Sequence, residues 1–411
     1  MALGGGTWVT QNKVLPGAYV NVVTQRTNAI ALGERGVVAV ALPIGKEKGS
    51  IIDININQFL GDGDTILGFA YTDDKAKVLR EIFAHATRCI IYDTGDGASV
   101  TTASIIAALE PYEFNVLCAY TGTSADVTAY VNAVKEWREN GKRCQVVVYN
   151  ASNPDHEGII NVVSAVDSYD KANFVGDGTK TEFTIEAKPT AVDKVFVAGS
   201  AVAKTGYTYT AETGVLEINT APAADASVEV RYNSVPEYGV IAWVAGAEAG
   251  CALNETVTNM IYDGELNVVA NKTQDELEDA LEEGKLVLHK VYGDIRVLED
   301  INSLVTTTDD KGDDFKYNQT MRVVDQSAND MAKLFNLKYL GKIPNDAAGR
   351  DAFWADVVAY NRELEAIRAI EDFDSGTVTV ARGETKKSIV VEYSIVPVNA
   401  MSQLYMTIVV L

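Results

Sequence analysis

The chain of 411 residues is poor in the side chains on which catalysis most often rests. It has only three histidines, His85, His156 and His289, and none stands at metal-ligand or triad spacing from a partner. HExxH, HxH and the G-x-S-x-G nucleophile elbow are all absent. Four cysteines, Cys89, Cys118, Cys144 and Cys251, sit singly in runs such as Cys89-Ile90-Ile91-Tyr92. With no CxxC spacing they give neither a zinc site nor a dithiol motif, and they read as buried thiols. Positive charge is also scarce: 35 Lys and Arg face 57 Asp and Glu, a net charge of −22. That balance repels phosphate backbones and anionic lipid, so nucleic acid and direct membrane insertion are not expected. No run of 18 apolar residues exists, and the first residues lack the basic-then-apolar pattern of a signal peptide, so folding in a cytoplasm is expected.

Two segments imitate ligand loops. Gly176-Asp177-Gly178-Thr179-Lys180-Thr181 lacks the four-residue spacer of a phosphate loop and precedes a strand where a helix is required, so it reads as a turn. Asp309-Asp310-Lys311-Gly312-Asp313-Asp314 lacks the alternating ligand spacing of an EF-hand and reads as a solvated acidic loop. No catalytic residue, no cofactor and no metal is expected, and the chain reads as a non-enzyme.

What the chain does have is apolar material, 47% of its residues, enough for several cores. Residues 1–30 read as an arm: Gly4-Gly5-Gly6, a Leu15-Pro16-Gly17 turn, and an extended run through Ala18, Tyr19, Val20, Val22 and Val23. Residues 31–87 carry short strands at Val37–Leu42 and Ile51–Ile54, a Gly61-Asp62-Gly63-Asp64 turn and a helix through Val78, Leu79, Ile82 and Phe83, and predict a small β domain. From residue 88 the rhythm changes to strands at 88–93, 114–120 and 143–149 separated by two helices, the second starting near Ser124, the pattern of a parallel sheet covered on both faces. Residues 174–232 lose every helical period and alternate as strands, which predicts a β-sandwich inserted into the α/β domain; that domain is thus split over 88–173 and 233–305. In its second half the spacing predicts a helix from Ile241, a strand at Leu266–Ala270, and a helix opened by the capping box Thr273-Gln274-Asp275-Glu276. Residues 306–411 predict an α+β domain with two amphipathic helices, around Met321–Leu337 and Ala347–Ile370, and three closing strands, Thr377–Ala381, Ser388–Val396 and the terminal one. The last strand, with Tyr405, Met406, Thr407, Ile408, Val409 and Val410, is apolar and β-branched and carries none of the charges or prolines that blunt a sheet edge. It is expected to pair, and the expected partner is another subunit.

Several segments together resemble a known family. They are Met1-Ala2-Leu3-Gly4-Gly5-Gly6-Thr7-Trp8 with Leu15-Pro16-Gly17-Ala18-Tyr19, Gly36-Val37-Val38-Ala39-Val40, and Phe69-Ala70-Tyr71-Thr72-Asp73-Asp74. The central ones are Ala242-Trp243-Val244-Ala245-Gly246-Ala247-Glu248-Ala249-Gly250, Asn254-Glu255-Thr256-Val257-Thr258-Asn259 and Tyr262-Asp263-Gly264. As a set they resemble the tail sheath proteins of contractile phages and phage-tail-like bacteriocins, in particular those of Gram-positive hosts. The resemblance implies a subtilisin-like α/β domain without a catalytic triad, and arms at both ends that add strands to the sheets of neighbouring subunits. It also implies a helical homo-oligomer around a tail tube protein, with baseplate and tail terminator proteins as partners, in a virion or tail-like particle assembled in the bacterial host cytoplasm. Two other classes stay open at this point: an α/β hydrolase with an unrecognised site, and a virion surface adhesin using the inserted β module.

Overall fold

The computed structural model describes residues 32–95, 100–189 and 191–410, together with the backbone of two short strands upstream, β1 (Gly5–Gly6) and β2 (Ala18–Tyr19), which pair in parallel.

The body opens with β3 (Val37–Leu42), β4 (Ile51–Asn55), α1 (Ile56–Leu67) and α2 (Lys77–Phe83). It continues through β5 (Arg88–Asp93), α3 (Thr102–Leu109), β6 (Val116–Cys118), α4 (Ser124–Glu139), β7 (Gln145–Tyr149) and β8 (Ile159–Val162). Seven strands then interrupt it: β9 (Asp170–Val175), β10 (Glu182–Thr184), β11 (Lys194–Val197), β12 (Ser200–Val202), β13 (Tyr207–Thr210), β14 (Val215–Ile218) and β15 (Ser227–Tyr232). The body resumes with α5 (Ile241–Gly250), α6 (Gln274–Glu282), β16 (Lys285–Leu286) and the hairpin β17 (Leu288–Val291) and β18 (Asp294–Val297).

The central sheet has seven strands in the order β16-β8-β7-β6-β3-β5-β4, all parallel except the edge strand β4. Alternate residues of each strand feed two apolar layers. Val38, Val40, Ile91 and Val147 pack with α2 and α5, while Ala39, Ile90, Leu117, Val146 and Val148 pack with α3 and α4. Burial on both faces is why these strands read as unbroken apolar runs rather than as alternation. The body is therefore α/β, and the mixed α/β multidomain architecture expected from the sequence is what the fold shows.

Three expectations are corrected. Residues 31–87 do not form a separate β domain: β3 lies inside the seven-stranded sheet and β4 closes its edge, because their partners β5 and β6 lie far along the chain, beyond any local pattern. The Gly61-Asp62-Gly63-Asp64 segment is not a turn but the middle of α1. The capping box of Asn55 and Gln58 starts that helix, Asp62 (φ −121°) interrupts its regular geometry, and Gly68 (φ 84°) ends it. Leu266–Ala270 forms no strand; its only ladder contact is a single bridge between Val268 and Val166.

The inserted module consists of two facing sheets, β12-β11-β15-β9 and β10-β14-β13, closed over Phe183, Val195, Leu216, Val228 and Val230. Its first and last strands are paired neighbours, Asp170 opposite Tyr232, so chain entry and exit lie side by side. The C-terminal layer holds α7 (Asn318–Leu334), which runs into a π-helical turn over Phe335–Tyr339, then α8 (Ala347–Ala366), β19 (Ile370–Glu371), β20 (Thr379–Arg382), β21 (Ile389–Glu392) and β22 (Val396–Pro397). These strands form two separate antiparallel pairs, β19–β22 and β20–β21. The expected strand over 388–396 is thus split in two. Residues 398–410 carry no strand among the described residues, so the terminal strand, whose expected partner is another subunit, is not formed within the described part of the chain.

Helices α2 and α5 touch backbone to backbone. A Cβ on Gly246 would stand 2.2 Å from the Ile82 carbonyl oxygen, and one on Gly250 would stand 2.1 Å from that of His85. Gly246→Ala should destabilise the protein by about 2–3 kcal/mol through overpacking, read as a fall in the urea midpoint. Gly312→Ala, where a Cβ would meet nothing within 4 Å, should leave stability within about 0.5 kcal/mol of the native value.

Candidate assembly site: two chain ends rooted on one helix

The expected absence of chemistry can be tested residue by residue. Asp93, fully buried at the end of β5, is the carboxylate best placed to serve a site at the sheet's carboxyl edge. Its two oxygens instead accept five backbone N–H groups, from Ile44, Gly45, Lys46, Glu47 and Gly95, at 2.8–3.0 Å. Burial would raise its pKa, but these bonds hold it below the usual carboxylate range, and they leave no lone pair for a base. His85 Nε2 lies 3.1 Å from Asp263 Oδ1, an oxygen that also accepts the Trp243 indole N–H at 2.7 Å. His156 Nδ1 accepts the Gly158 N–H at 3.0 Å, and His289 lies within β17. The four cysteines are free and buried, and burial pushes their thiols up, Cys144 and Cys251 to about 12. None supplies a thiolate at neutral pH. Among the described residues no three His, Cys, Asp or Glu side chains gather as metal ligands, and no helix is long and apolar enough to cross a membrane.

What stands out instead is the tail. Tyr405, Ile408 and Val410 are 88%, 74% and 92% exposed, and Met406, Thr407 and Val409 are exposed as well. Six consecutive side chains from Tyr405 to Val410, five of them large and apolar, thus face solvent with no strand partner among the described residues. Of the arm residues predicted upstream, Ala18 and Tyr19 form β2, paired with Gly5–Gly6; Val20, Val22 and Val23 lie outside the described residues. Among the described residues, no strand pairing joins Ala18 or Tyr19 to the tail.

Their roots share one helix. The tail is held as far as Ala400: Pro397 pairs with Ile370, Val398 N–H donates to the Ala369 carbonyl at 3.0 Å, the Thr320 hydroxyl donates to Asn399 Oδ1 at 3.2 Å, and Ala400 N–H donates to Gln319 Oε1 at 2.9 Å. At the other end of the same helix α7, the Gly33 N–H donates to Asp330 Oδ2 at 3.1 Å. A Cβ on Gly33 would fall 2.4 Å from Asp330 Oδ1, so only glycine lets the chain lie this close. Asp330 is held in turn by the Tyr360 hydroxyl at 2.9 Å and the Gln326 amide at 2.9 Å.

Between the two roots, α7 is locked to the body by buried charge. Arg322, 1% exposed, donates to Glu248 of α5 and to Asp300, each at 2.6 Å, and to the Glu255 carbonyl at 3.0 Å. Asp300 also accepts the Thr256 hydroxyl and the Val257 N–H. Burial pushes the Glu248 carboxyl well above its ordinary range, with the Asp300 charge adding to the effect. Burial would raise Asp300 too, but Arg322 and the hydrogen bonds bring it down to about 2. One turn further on, Asp325 accepts both Nη atoms of Arg138 from α4, at 2.6 and 2.9 Å. Just before β3, Arg35 donates to the Glu248 and Cys251 carbonyls, tying the chain that follows the arm to the end of α5.

Glu248 and the stretch Glu255-Thr256-Val257 lie in segments that carry the family resemblance, but Arg322, Asp325, Asp330, Arg138, Arg35 and Asp300 were not singled out from the sequence. An amphipathic helix of the kind expected here exposes its polar face, yet Asn318, Gln319, Thr320, Arg322, Asp325, Gln326, Ser327 and Asp330 of α7 are all buried. A signal was present: this face carries short polar residues where a solvated helix face is usually rich in Lys and Glu.

Comparison with known proteins places the chain in a family. The model of the phage tail sheath protein central domain matches residues 96–303, half of the chain, and that of the phage tail sheath C-terminal domain matches residues 310–411. The chain belongs to the phage tail sheath proteins, as its resemblance in sequence implied, and is a structural subunit of a sheath. It is 24% identical to the phage-like element PBSX protein XkdK of Bacillus subtilis, over 99% of both chains. It is 26% identical to the tail sheath protein of Clostridium phage phiCD119, covering 82% of this chain and 77% of that one. In fold it is similar to the crystal structure of a sheath tail protein from Desulfitobacterium hafniense, with a TM-score of 0.67 and 21% identity over 95% of this chain and 99% of that one. It is also similar to the helical sheath of the anti-feeding prophage in its contracted state, with a TM-score of 0.62 and 15% identity over 97% and 99%.

Replacing Arg322 by Leu should cost about 3–5 kcal/mol, because two buried carboxyl groups lose their cation. Chemical denaturation measures it, and a loss below about 1 kcal/mol would mean that the lock contributes no more than an exposed pair.

Proposed function

We propose that the chain polymerises helically around an inner tail tube, linked to its neighbours by strands lent from its two ends, and that the sheath shortens by rigid-body rearrangement to drive the tube through a target envelope. The observation that carries this reading is the exposed tail through Tyr405, Met406, Thr407, Ile408, Val409 and Val410. Burying an aliphatic side chain is worth about 2 kcal/mol, so such a run is costly to leave in water unless a partner covers it. A receiving edge is present on the same molecule: β20–β21 is only two strands wide, packed on α8 through Val380, Ile389 and Val391, with an unpaired edge on each side. A tail strand added there gains a backbone ladder and covers its apolar side chains. Donor and acceptor are different surfaces of one chain, so a head-to-tail contact between them is heterologous, and one whose rotation does not close generates the filament we propose. The arm holding Ala18, Tyr19, Val20, Val22 and Val23 is read as the second lent segment.

Shortening of this kind needs no nucleotide. An extended lattice held above the contracted one by a kinetic barrier releases its energy when a trigger lowers the barrier. The contracted anti-feeding prophage sheath supports the reading by its shared fold, and so does that particle's baseplate, which includes a chain of the same fold. Tube, baseplate and terminator proteins are accordingly the proposed partners, and the proposed setting is a virion or tail-like particle assembled in the host cytoplasm. The subtilisin-like descent of the body is part of the same proposal, supported by a parallel sheet covered by helices on both faces. With Asp93 saturated and the thiols buried, we read the body as non-enzymatic.

Deleting residues 404–411 should leave a folded, soluble monomer or short oligomer, since those residues contribute nothing to the described cores. Size-exclusion chromatography and electron microscopy test this; normal contractile tubes from the deletion would overturn the reading. Replacing residues 170–232 by a short Gly/Ser linker should leave assembly intact, because β9 and β15 enter and leave side by side. Loss of tubes from a folded variant would show instead that the module carries lattice contacts.

A further inference from the structure

The two segments proposed to reach neighbours leave the subunit from the same helix. Gln319 and Thr320, in the first turn of α7, hold the chain at Asn399 and Ala400, and Asp330 holds Gly33. Eleven residues of helix separate these anchors, about 16 Å. Between them, Arg322 and Asp325 fasten the helix to α5 and α4 of the body. The anchoring side chains Gln319, Thr320 and Asp330 are 4%, 3% and 3% exposed, so water competes little for their bonds.

From this placement we infer that α7 is the element through which a pull on either arm is delivered to the body of the subunit, with Gln319 the positioning residue that sets where the tail departs. The inference rests on the reading of the chain ends as inter-subunit arms, and it goes beyond that reading by naming what couples them. A displacement of Ala400 reaches Gln319 through one hydrogen bond. One helical turn on, it meets the Arg322 lock, and less than three turns beyond that lock stands the Gly33 anchor. A helix transmits such a movement because its backbone bonds are made within the segment itself; flexible chain of the same length absorbs it. Ala328 offers a place to weaken α7 without touching any anchor: it is exposed and lies between Asp325 and Asp330. Ala355, exposed on α8, is its matched control.

The experiment compares sheaths assembled from Ala328→Gly, Ala355→Gly, Gln319→Ala, Gln319→Glu and the native chain, triggered with a brief chaotrope pulse and scored by electron microscopy. The two Ala→Gly monomers should unfold at matching urea midpoints, since both lose the same helix propensity. Ala355→Gly should contract as the native sheath does, and Ala328→Gly should leave roughly fivefold more sheaths partly contracted, the factor that a weakening equal to one Ala→Gly change allows. Gln319→Ala should raise the critical concentration for assembly about fivefold, the worth of one hydrogen bond, and Gln319→Glu, which retains an acceptor for the Ala400 N–H, should restore it. Loss of assembly by Ala328→Gly alone, with its monomer folded, would equally support the inference. Equal behaviour of Ala328→Gly and Ala355→Gly overturns it, as does failure of Gln319→Glu to rescue. If tail deletion abolishes tubes while the two Ala→Gly variants behave alike, only the role of α7 falls. If tail deletion leaves contractile tubes, the arm reading falls and this inference with it.

Discussion

Arg322 carries a full positive charge at a position almost sealed from water, and much of the C-terminal layer is arranged around keeping it there. A buried guanidinium is tolerable only when carboxylates and carbonyls surround it, and here Glu248, Asp300 and the Glu255 carbonyl do so from segments close to one another on the body. The consequence is geometric as much as energetic. Planar, charge-assisted bonds fix both distance and direction, so α7 has one orientation on the body, where an apolar contact would let it slide. The position of α7 then sets the departure points of both chain ends.

The rest of the molecule divides between a rigid centre and borrowed structure. The seven-stranded sheet and its two helical layers are complete within one chain, as is the inserted module. The C-terminal layer is not complete in the same sense: its strands come in twos, and an isolated two-stranded pair is marginal without a third strand or a helix behind it. The helix is supplied by α8. The tail, apolar and β-branched, has the composition of a strand and pairs with none among the described residues.

The α/β body also illustrates how a fold that often hosts catalysis is kept for architecture. Its carboxyl edge carries a buried aspartate, but Asp93 spends all its accepting capacity on the loop over 44–47 and on Gly95, fixing backbone rather than substrate. His85 and His156 are likewise held by neighbouring groups. For a structural subunit of a sheath, a search for catalytic chemistry alone misses the function.

Much of this was legible in the sequence wherever the signal is local. The capping box at Thr273 opens α6, the strands at 88–93 and 145–149 lie inside apolar runs, and α4 begins near Ser124 as its spacing predicted. The tail was legible as apolar and unprotected because side-chain character does not depend on the fold. Other features were decided only in three dimensions. β3 pairs with β5 and β6 across long stretches of chain, and the Gly61–Asp64 segment is helical because the capping box before it and the burial of Phe59 and Leu67 around it outweigh its glycines. Residues 388–396 break into two strands because they pair with two different strands, β21 with β20 and β22 with β19. The polar face of α7 was the least legible of all. A sequence gives each residue its charge and size, but whether Arg322 meets water or Glu248 depends on which distant segment the fold brings opposite, and that only the tertiary structure decided.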